Sequence, residues 1–341
     1  MTRRGDRVRI LVIGGTQFFG REIVRLFLER GDEVTVYSRG RRKPEWPGPV
    51  GHVQGDRTDH AGFVATFRDR TFDAVIDNIA YVAADVDAAV EAFAGRVQRY
   101  VFTSTGSVYA SPQIDAVRLL SPLHEDDADL ALRAAEPYGD GKRACEQVLH
   151  ARAGRDRGLP FTILRPPVVQ GPNDPTTRVW FYVQRIADGG PILAPSGFPT
   201  PATRHVYSVD LSRAYVDAVL GSAAIDRTYN VAMEEVVTLP DYVRLLAQAM
   251  KTEVDVVEIP RDVLAAEGTL SEYRPPFSRR FVPDIGRLQR DMGWRSTPVL
   301  DWLRTTATWL LEHPQPDSEG YAARNAERRA AERLTLSRPR C

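Results

Sequence analysis

Short apolar runs alternate with longer amphipathic stretches through the first half of the chain. Val8–Ile13 predicts a strand, Glu22–Arg30 a helix closed by Gly31, and Glu33–Tyr37 a second strand. The alternation continues with strands at Val50–Gln54, Ala74–Ile76, Arg99–Thr103 and Phe161–Leu164, and helices at Ala61–Arg70, Val86–Ala94 and Gly139–Ala153. Continuous apolar strands joined by helices indicate a parallel sheet covered on both faces. The pattern therefore predicts an α/β fold with a doubly wound parallel sheet.

The composition of the sequence changes after Arg165, because residues 166–201 are rich in proline and glycine. Such a stretch predicts few long regular elements and is typical of binding loops. Later periodic segments predict helices at Leu211–Gly221, Pro240–Met250 and Val299–Glu312 and a strand at Val254–Ile259. We therefore expect a dinucleotide-binding-sized domain over 1–165, with core strands within 8–164, and a smaller C-terminal substrate-binding region over 166–312, of which some segments return to the first core. Residues 313–341 are expected to form a charged tail, exposed as a helix or disordered.

The amino-acid composition reduces the number of protein classes to which the chain can belong. Lys+Arg and Asp+Glu number 45 each in 341 residues, so the net charge of zero predicts neither a nucleic-acid partner nor an anionic membrane surface. The apolar run at Ile10–Ile13 is too short for a signal peptide, and no run is long enough to span a bilayer. The two cysteines, Cys145 and Cys341, suit a reducing cytoplasm. The six histidines show no metal-ligand spacing, so we expect no metal.

A glycine-rich turn follows the first strand. Ile10–Ile13 leads into Gly-Gly-Thr-Gln-Phe-Phe-Gly and then a helix, which is the context of a dinucleotide fingerprint. The N–H groups of the first helical turn would face a pyrophosphate, as in a Rossmann fold. The middle glycine of the usual spacing is replaced by Gln17, and a glycine pair at such a turn can also be purely structural. The candidate cofactor contacts are Gly14, Thr16, Gln17, Phe18, Phe19 and Gly20.

The second strand ends without the acidic residue that receives the ribose hydroxyls of NAD. It runs instead into Ser38 and Arg39, followed by Arg41 and Arg42. Guanidinium groups there favour the 2′-phosphate of NADP over NAD, although the segment can also be a solvated basic loop. Three further residues after the third and fourth strands are candidate cofactor contacts: Asp56, Arg57 and Asp77.

A tyrosine and a lysine four residues apart stand at the start of a predicted helix. Tyr138 and Lys142 share one helix face, so the lysine can lower the phenol pKa and hold the nicotinamide ribose. The tyrosine can then exchange a proton with a substrate hydroxyl or carbonyl during hydride transfer. Alone, this spacing is more often an ordinary helix surface. Ser104-Thr105-Gly106-Ser107 after the fifth strand offers a hydroxyl to the same oxygen, or simply caps the strand end.

These motifs in this order resemble the extended short-chain dehydrogenases, the NAD-dependent epimerase/dehydratase family, in an atypical branch. The resemblance covers roughly residues 8–312. It rests on Gly14–Gly20, Thr103–Ala110, Tyr138–Lys142, Leu164–Pro167, Gln170–Pro172, and more weakly on Val206–Leu211 and Tyr229–Val231.

The resemblance implies an active centre of Thr105, Tyr138 and Lys142. It also implies that the segment from Arg165 to Asp210 supplies much of a pocket for a nucleotide-linked sugar. It implies a homodimer, paired through the helices around Ala88 and Lys142. Candidate substrate contacts are Ser107, Tyr109, Arg178, Arg204 and His205.

Two departures bear on the reaction and substrate. Gly106-Ser107 stands where the family's 4,6-dehydratases carry an Asp-Glu pair, which argues against dehydration. Arg204 is displaced by one position from the family's diphosphate-binding arginine, so a nucleoside-type sugar is as acceptable as a nucleotide sugar. The resemblance thus implies a sugar epimerase that works through transient oxidation to a keto intermediate. The alternatives are an NADPH-dependent reductase of a keto sugar or related carbonyl, and a non-catalytic RNA-binding protein of the same fold.

Overall fold

The computed structural model describes residues 7–110, 121–154, 158–197, 200–266, 268–270 and 273–337, and Cys341 lies outside them. The strands are β1 Arg9–Ile13, β2 Glu33–Ser38, β3 Gly51–Gln54, β4 Ala74–Asp77, β5 Arg99–Thr103, β6 Phe161–Arg165, β7 Val169–Gln170, β8 Ile192–Ser196, β9 Ala202–Thr203, β10 Val206–Tyr207, β11 Arg227–Asn230, β12 Val237–Thr238 and β13 Val256–Pro260. The helices are α1 Phe18–Glu29, α2 His60–Phe67, α3 Ala83–Phe93, α4 Pro137–His150, α5 Arg178–Asp188, α6 Ser208–Leu220, α7 Leu239–Ala249, α8 Arg261–Ala266, α9 Gly286–Met292, α10 Val299–Glu312 and α11 Arg324–Ser337.

The main sheet is parallel throughout and follows the order β11-β6-β5-β4-β1-β2-β3. Strand β1 buries side chains on both faces of the sheet, which explains its continuous apolar run in the sequence. Ile10 and Val12 join one core cluster, whereas Leu11 and Ile13 join the other. The predicted α/β, doubly wound Rossmann-type fold is confirmed.

Helices cover the two faces of the sheet in separate groups. α1 and α6 pack on the face that carries Ile10 and Val12, through residues such as Phe27 and Leu211. α2, α3 and α4 pack on the opposite face, through residues such as Phe63. The winding reverses at β1, between β4 and β2, and ligands of such sheets bind at the carboxyl ends of the strands near this reversal.

The second region has its own apolar cluster, formed by α5, α7, α10 and the parallel pair β8–β13. The expectation that the proline-rich stretch would hold few long elements is corrected by α5, which has 11 residues. Its sequence lies between Pro175 and Pro191 and contains no proline, so every backbone N–H inside it remains available to the helix.

The expectation of an exposed or disordered tail is corrected for residues 324–337, which form α11. Ala330 and Ala331 are buried against the second region. Glu327 makes a fully buried ion pair with Arg185 of α5, at 2.8 Å from carboxylate to guanidinium. The many charged residues of this segment led to the expectation that it is exposed to solvent. This was wrong because the charge of Glu327 is neutralised by Arg185, which is distant in the sequence.

The proposed boundaries at residues 165 and 312 stay a prediction. Residues beyond 165 contribute to both parts, since β11 pairs with β6 in the main sheet and α6 packs on α1. Among the described residues, no helix has the length and apolar character needed to cross a membrane.

The Arg185–Glu327 pair yields a stability prediction. Glu327→Ala leaves the Arg185 guanidinium buried without its carboxylate, so we expect the free energy of unfolding to fall by about 3 to 5 kcal/mol. The measurement is urea denaturation. Arg304→Ala is the matched control, because the exposed Arg304–Asp301 pair at 3.1 Å should contribute no more than about 1 kcal/mol. Equal losses in the two variants would contradict the prediction.

Candidate active site

The turn between β1 and α1 is too tight for a side chain at two of its positions. Gly14 has φ +84°, and a Cβ there would lie 2.6 Å from Ile79 Cγ2. A Cβ on Gly20 would lie 2.5 Å from the Gly14 carbonyl oxygen. Gln17, in place of the middle glycine, is extended with φ −145° and ψ 148°, a conformation open to any residue. The missing glycine therefore causes no strain at position 17 itself, whereas the next residue, Phe18, has a φ of +48°.

The same turn leaves the start of α1 open to an anion. The N–H groups of a first helical turn have no acceptor within the helix, and Gln17 makes no side-chain cap. Their partial positive charge suits a pyrophosphate. Thr16, Phe18 and Phe19 are half-buried around the turn, and Phe19 stacks on Tyr215 with ring centroids 6.3 Å apart. The backbone and the two tight glycines fit a dinucleotide, whose pyrophosphate this turn could hold.

The basic segment after β2 lies beside the third strand. The Ser38 hydroxyl is 2.9 Å from His52 Nε2. Arg39, Arg41 and Arg42 are exposed, and within the described residues none of them takes part in an ion pair. Three unpaired guanidinium groups at this position could receive a phosphate.

Asp56 lies next to this basic segment. Its Oδ1 accepts hydrogen bonds from the Thr58 N–H at 3.0 Å and the Thr58 hydroxyl at 2.8 Å. The Thr58 bonds, followed by the charges of Arg39 and Arg41, hold the pKa of Asp56 below its usual value. Asp56 is thus a charged turn cap at the edge where an adenosine would lie.

The side chains of Arg57 and Asp77 bind each other, and the expectation that these two residues contact the cofactor stays a prediction. The two are 5% and 0% exposed, with 3.0 Å between Arg57 Nη2 and Asp77 Oδ2. Tyr100 donates its hydroxyl to the same carboxylate oxygen at 2.9 Å, and the Arg57 guanidinium lies 4.0 Å from the Phe63 ring centroid. Both side chains therefore have their partners within a buried network beneath the carboxyl edge of the sheet.

The structure brings Thr105 and Tyr138 together at that edge. Thr105 follows β5, and Tyr138 lies in the first turn of α4. Burial raises the pKa of the Tyr138 phenol, while the Thr105 hydroxyl and the charge of Arg178 oppose this. Tyr138 nevertheless keeps 44% of its surface exposed, so a substrate can reach it. Arg178, the first residue of α5, therefore acts on the same phenol.

Lys142 lies one helical turn further along and is almost fully buried. Its Nζ donates to the carbonyl oxygens of Ala80 at 2.8 Å and Thr103 at 2.7 Å, where β4 and β5 end. Burial lowers the pKa of Lys142 to about 8. Its Nζ is 5.9 Å from the Tyr138 ring centroid. Thr105 and Arg178 are the groups that lower the pKa of Tyr138 in the described structure, and the expectation that Lys142 does so stays a prediction.

Tyr109 is placed away from any substrate. It is buried, donates its hydroxyl to Asn230 Oδ1 at 2.6 Å and accepts a hydrogen bond from Arg165 at 3.0 Å. Burial raises the pKa of Tyr109 to about 12. Its expected role as a substrate contact is therefore corrected to a role in the core. Ser107 is half-buried in the 3-10 turn Gly106–Tyr109, beside the Thr105 hydroxyl, which accepts its N–H at 3.1 Å.

Arg204 and His205 are also engaged in packing of the second region. Arg204 donates to the Pro283 carbonyl oxygen at 2.8 Å, and burial lowers its pKa. His205 is fully buried between the rings of Tyr242 and Phe277, whose centroids are 5.2 and 4.5 Å from its own. Burial lowers the pKa of His205 to about 3, so the ring is neutral.

Two residues beside the site were missed in the sequence. Glu146 continues the stripe of Tyr138 and Lys142 by another four residues and pairs with Arg165 at 2.5 Å, both buried. That spacing was a usable signal. Tyr81, after β4, lies over Lys142 with 4.7 Å from Nζ to its ring centroid, and 6.3 Å separates the centroids of Tyr81 and Tyr138. A lone aromatic residue in a loop carries no comparable signal.

The described residues contain no group of three or more His, Cys, Asp or Glu side chains placed to hold a metal ion. The sequence profile of the NAD dependent epimerase/dehydratase family matches residues 10–232, more than half of the 341 residues. The chain belongs to this family. It is accordingly an enzyme of the NAD-dependent epimerase/dehydratase type.

The proteins to which the chain is similar have names that indicate diverse activities. The chain is 27% identical to a chloroplast stem-loop binding protein of 41 kDa from Arabidopsis thaliana, over 84% of this chain and 75% of that one. It is 26% identical to 2-alkyl-3-oxoalkanoate reductase of Stenotrophomonas maltophilia, over 71% and 76%. Among solved structures it is similar to the UDP-glucose 4-epimerase of Thermotoga maritima with UDP-glucose, at 19% identity and a TM-score of 0.69, over 90% and 100% of the chains. The last likeness shows the fold alone.

The burial of Lys142 yields a pH prediction. Its pKa falls from 10.5 to about 8 on folding, so between these values the unfolded chain holds a proton that the folded chain has released. Raising the pH through this window therefore favours the folded state, by about 3 kcal/mol in total. We expect the stability of the wild type relative to Lys142→Met to increase by that amount from pH 7.5 to 10.5, a window of about three units, as measured by urea denaturation. Parallel pH dependence of the two proteins would contradict it.

Proposed function

We propose that the chain is an NAD(P)-dependent epimerase acting on a nucleotide sugar or nucleoside-type sugar through a transient keto intermediate. The observation that carries the proposal is the accessible Tyr138 phenol, on which the Thr105 hydroxyl acts and whose ring centroid lies 5.9 Å from Lys142 Nζ. This set lies at the carboxyl edge of the sheet, beside the open turn before α1. Gly106 and Ser107 carry no acid, so elimination of water lacks its acid/base pair.

The residues divide the proton chemistry between them. Tyr138, once deprotonated beside the Lys142 ammonium, would accept the proton of a substrate hydroxyl and later return it, with the Thr105 hydroxyl beside the same oxygen. The nicotinamide, when bound, supplies the hydride acceptor and donor. Lys142 fixes its ammonium group between two strand ends and holds a positive charge beneath Tyr138. Inversion follows when the keto intermediate presents its other face before the hydride returns.

The substrate contacts follow from the side chains that remain available. Arg178 is exposed, and its charge acts on Tyr138, so it suits an anionic group of the substrate beside the reacting hydroxyl. Arg204 is tied to the Pro283 carbonyl, which argues against its use as a diphosphate ligand. A sugar-type substrate would then be held at its anionic end by Arg178.

Substitution of the proposed acid/base tests the function. Tyr138→Phe should lower turnover of UDP-glucose by about 10²- to 10⁴-fold, because proton transfer loses its positioned group, while cofactor binding persists. NMR of the sugar protons follows the conversion. Tyr81→Phe is the matched control, since it removes a neighbouring exposed phenol, and should change turnover less than about threefold. Undiminished turnover in Tyr138→Phe would exclude the proposed mechanism.

A reductase of a keto sugar or related carbonyl is the second candidate. It is favoured by the likeness to the oxoalkanoate reductase and by the unpaired arginines after β2, which suit NADPH. A reductase consumes reduced nicotinamide in proportion to product, whereas an epimerase leaves its absorbance unchanged after turnover.

An RNA-binding role rests on the name of the Arabidopsis relative. The balance of 45 basic and 45 acidic residues gives no basic footprint for it. RNA binding that weakens with salt and survives Lys142→Met would favour this role over the enzymatic one.

The basic segment after β2 leads to a prediction on cofactor choice. Removing Arg39 and Arg41 together should weaken NADPH binding by about tenfold or more, because two guanidinium groups near the 2′-phosphate are lost. NADH binding should change less than about twofold, since it has no phosphate there. Nicotinamide fluorescence measures both, and Arg304→Ala is the control for a lost surface charge. Equal weakening of both cofactors would contradict a 2′-phosphate site.

A further inference from the structure

The ammonium group of Lys142 lies among the rings of three aromatic residues. Its Nζ is 4.7 Å from the ring centroid of Tyr81 and 4.9 Å from that of Phe102. The ring centroid of Tyr138 is further away, at 5.9 Å. A cation within about 6 Å of a ring centroid, over the ring face, is attracted by the negative charge of the π system. The rings and the two carbonyl oxygens at the ends of β4 and β5 therefore enclose a lysine that is 1% exposed.

Tyr81 differs from the other two rings in its surroundings. Phe102 is a fully buried residue of β5, and Tyr138 is the proposed acid/base. Tyr81 lies in the loop between β4 and α3 and keeps 49% of its surface exposed. A half-exposed loop position does not by itself favour a large ring. The position of this ring over a buried cation therefore gives an aromatic residue at position 81 a specific role.

The backbone of Tyr81 is fixed on two sides. Asp85, in the first turn of α3, accepts the Tyr81 N–H on Oδ2 at 2.7 Å. On the other side α4 passes so close that a Cβ on Gly141 would overlap the Tyr81 carbonyl oxygen. Glycine inside a helix is less favourable than alanine, and here its missing side chain lets the loop lie on α4. Gly141 thus permits the contact between the Tyr81 ring and the neighbouring Lys142.

The titratable groups around Lys142 leave its charge only partly compensated. Burial lowers the pKa of Lys142 to about 8. The acidic groups that face it oppose this, and they come from α4, β4 and α3: Cys145, Glu146, Asp77 and Asp85. The three carboxylates have hydrogen-bonding partners of their own, which are Arg165, Arg57 and His60. A ring face adds attraction for the ammonium that does not depend on these carboxylates.

We propose that the ring face of Tyr81 holds the ammonium group of Lys142 in place and in its charged form, which makes Tyr81 a positioning residue. The inference deepens the proposed function and rests on it for the consequence on turnover, since the charge beneath Tyr138 is what Lys142 supplies there. The attraction belongs to the ring and not to its hydroxyl. Phenylalanine at position 81 keeps the interaction, whereas an aliphatic side chain loses it.

NMR of the lysine side chains measures this interaction directly, because the chain contains only three lysines: Lys43, Lys142 and Lys251. The full chain, labelled with ¹³Cε and ¹⁵Nζ in lysine, is titrated over about pH 6 to 11 to follow the ammonium group. Lys142→Met assigns the Lys142 signal by its disappearance. Lys43 and Lys251 are exposed and serve as internal references in every variant.

Tyr81→Leu should lower the pKa of Lys142 by about 0.5 to 1.5 pH units, because the charged form loses its attraction to the ring. Leucine also covers Lys142 less well than tyrosine, and closer water alone would move the pKa up, towards 10.5. The sign of the change therefore separates attraction by the ring from simple cover. Tyr81→Phe is the matched control and should leave the pKa of Lys142 within about 0.2 units of the wild type.

The assignment is overturned if the pKa of Lys142 rises or stays constant in Tyr81→Leu. It is also overturned if Tyr81→Phe lowers this pKa as much as Tyr81→Leu does, which would trace the effect to the hydroxyl.

A pH profile tests the consequence for turnover. If the wild type turns over UDP-glucose, the alkaline limb of kcat should move to lower pH in Tyr81→Leu by the amount that the pKa of Lys142 falls. An unmoved limb overturns the positioning role. The NMR titration needs neither substrate nor turnover, so it decides whether the ring holds the ammonium charge even where Tyr138→Phe excludes the epimerase mechanism.

Discussion

The buried ion pair between Glu146 on α4 and Arg165 at the end of β6 holds α4 to the sheet. The Glu146 carboxylate receives Arg165 Nε at 2.9 Å and Nη2 at 2.5 Å, and the Ser104 hydroxyl at 2.5 Å. Arg165 also donates to the Tyr109 hydroxyl at 3.0 Å. Since Tyr138 precedes Glu146 on the same helix face, a shift of this pair would move the phenol relative to Thr105. The distance between Thr105 and Tyr138 therefore depends on a contact outside the cleft.

Buried charge is treated in two ways around the site. Arg165 with Glu146 and Arg57 with Asp77 are paired charge to charge, so each charge is compensated within the interior. Lys142 is held instead by two backbone carbonyl oxygens, which offer partial charge only. Its proton is consequently the more easily lost one. Because the protein compensates the charge of Lys142 only in part, this charge can still attract a ligand placed above it.

The parts of the structure that could be predicted from the sequence are those set by local pattern. The apolar run of β1 and the tight glycines Gly14 and Gly20 report directly on a buried strand and a close turn, and both were recognised. Arg57 and Asp77 show where prediction from the local sequence pattern fails. Each charge looked accessible at a strand end, but they pair across a separation of 20 residues that no local signal reveals. The burial of α11 was missed for the same reason, since the partner of Glu327 lies on α5.

The ion pair between Arg185 on α5 and Glu327 on α11 also affects how the chain folds during translation. Arg185 precedes Glu327 by 142 residues. At a translation rate of about 5 to 20 residues per second, α5 waits on the order of ten seconds for its carboxylate. The main sheet is complete only after β11 has been made, and α5 still lacks the carboxylate partner of Arg185 at that point. Its exposed apolar face would then be the stretch of the nascent chain with the greatest need of a chaperone.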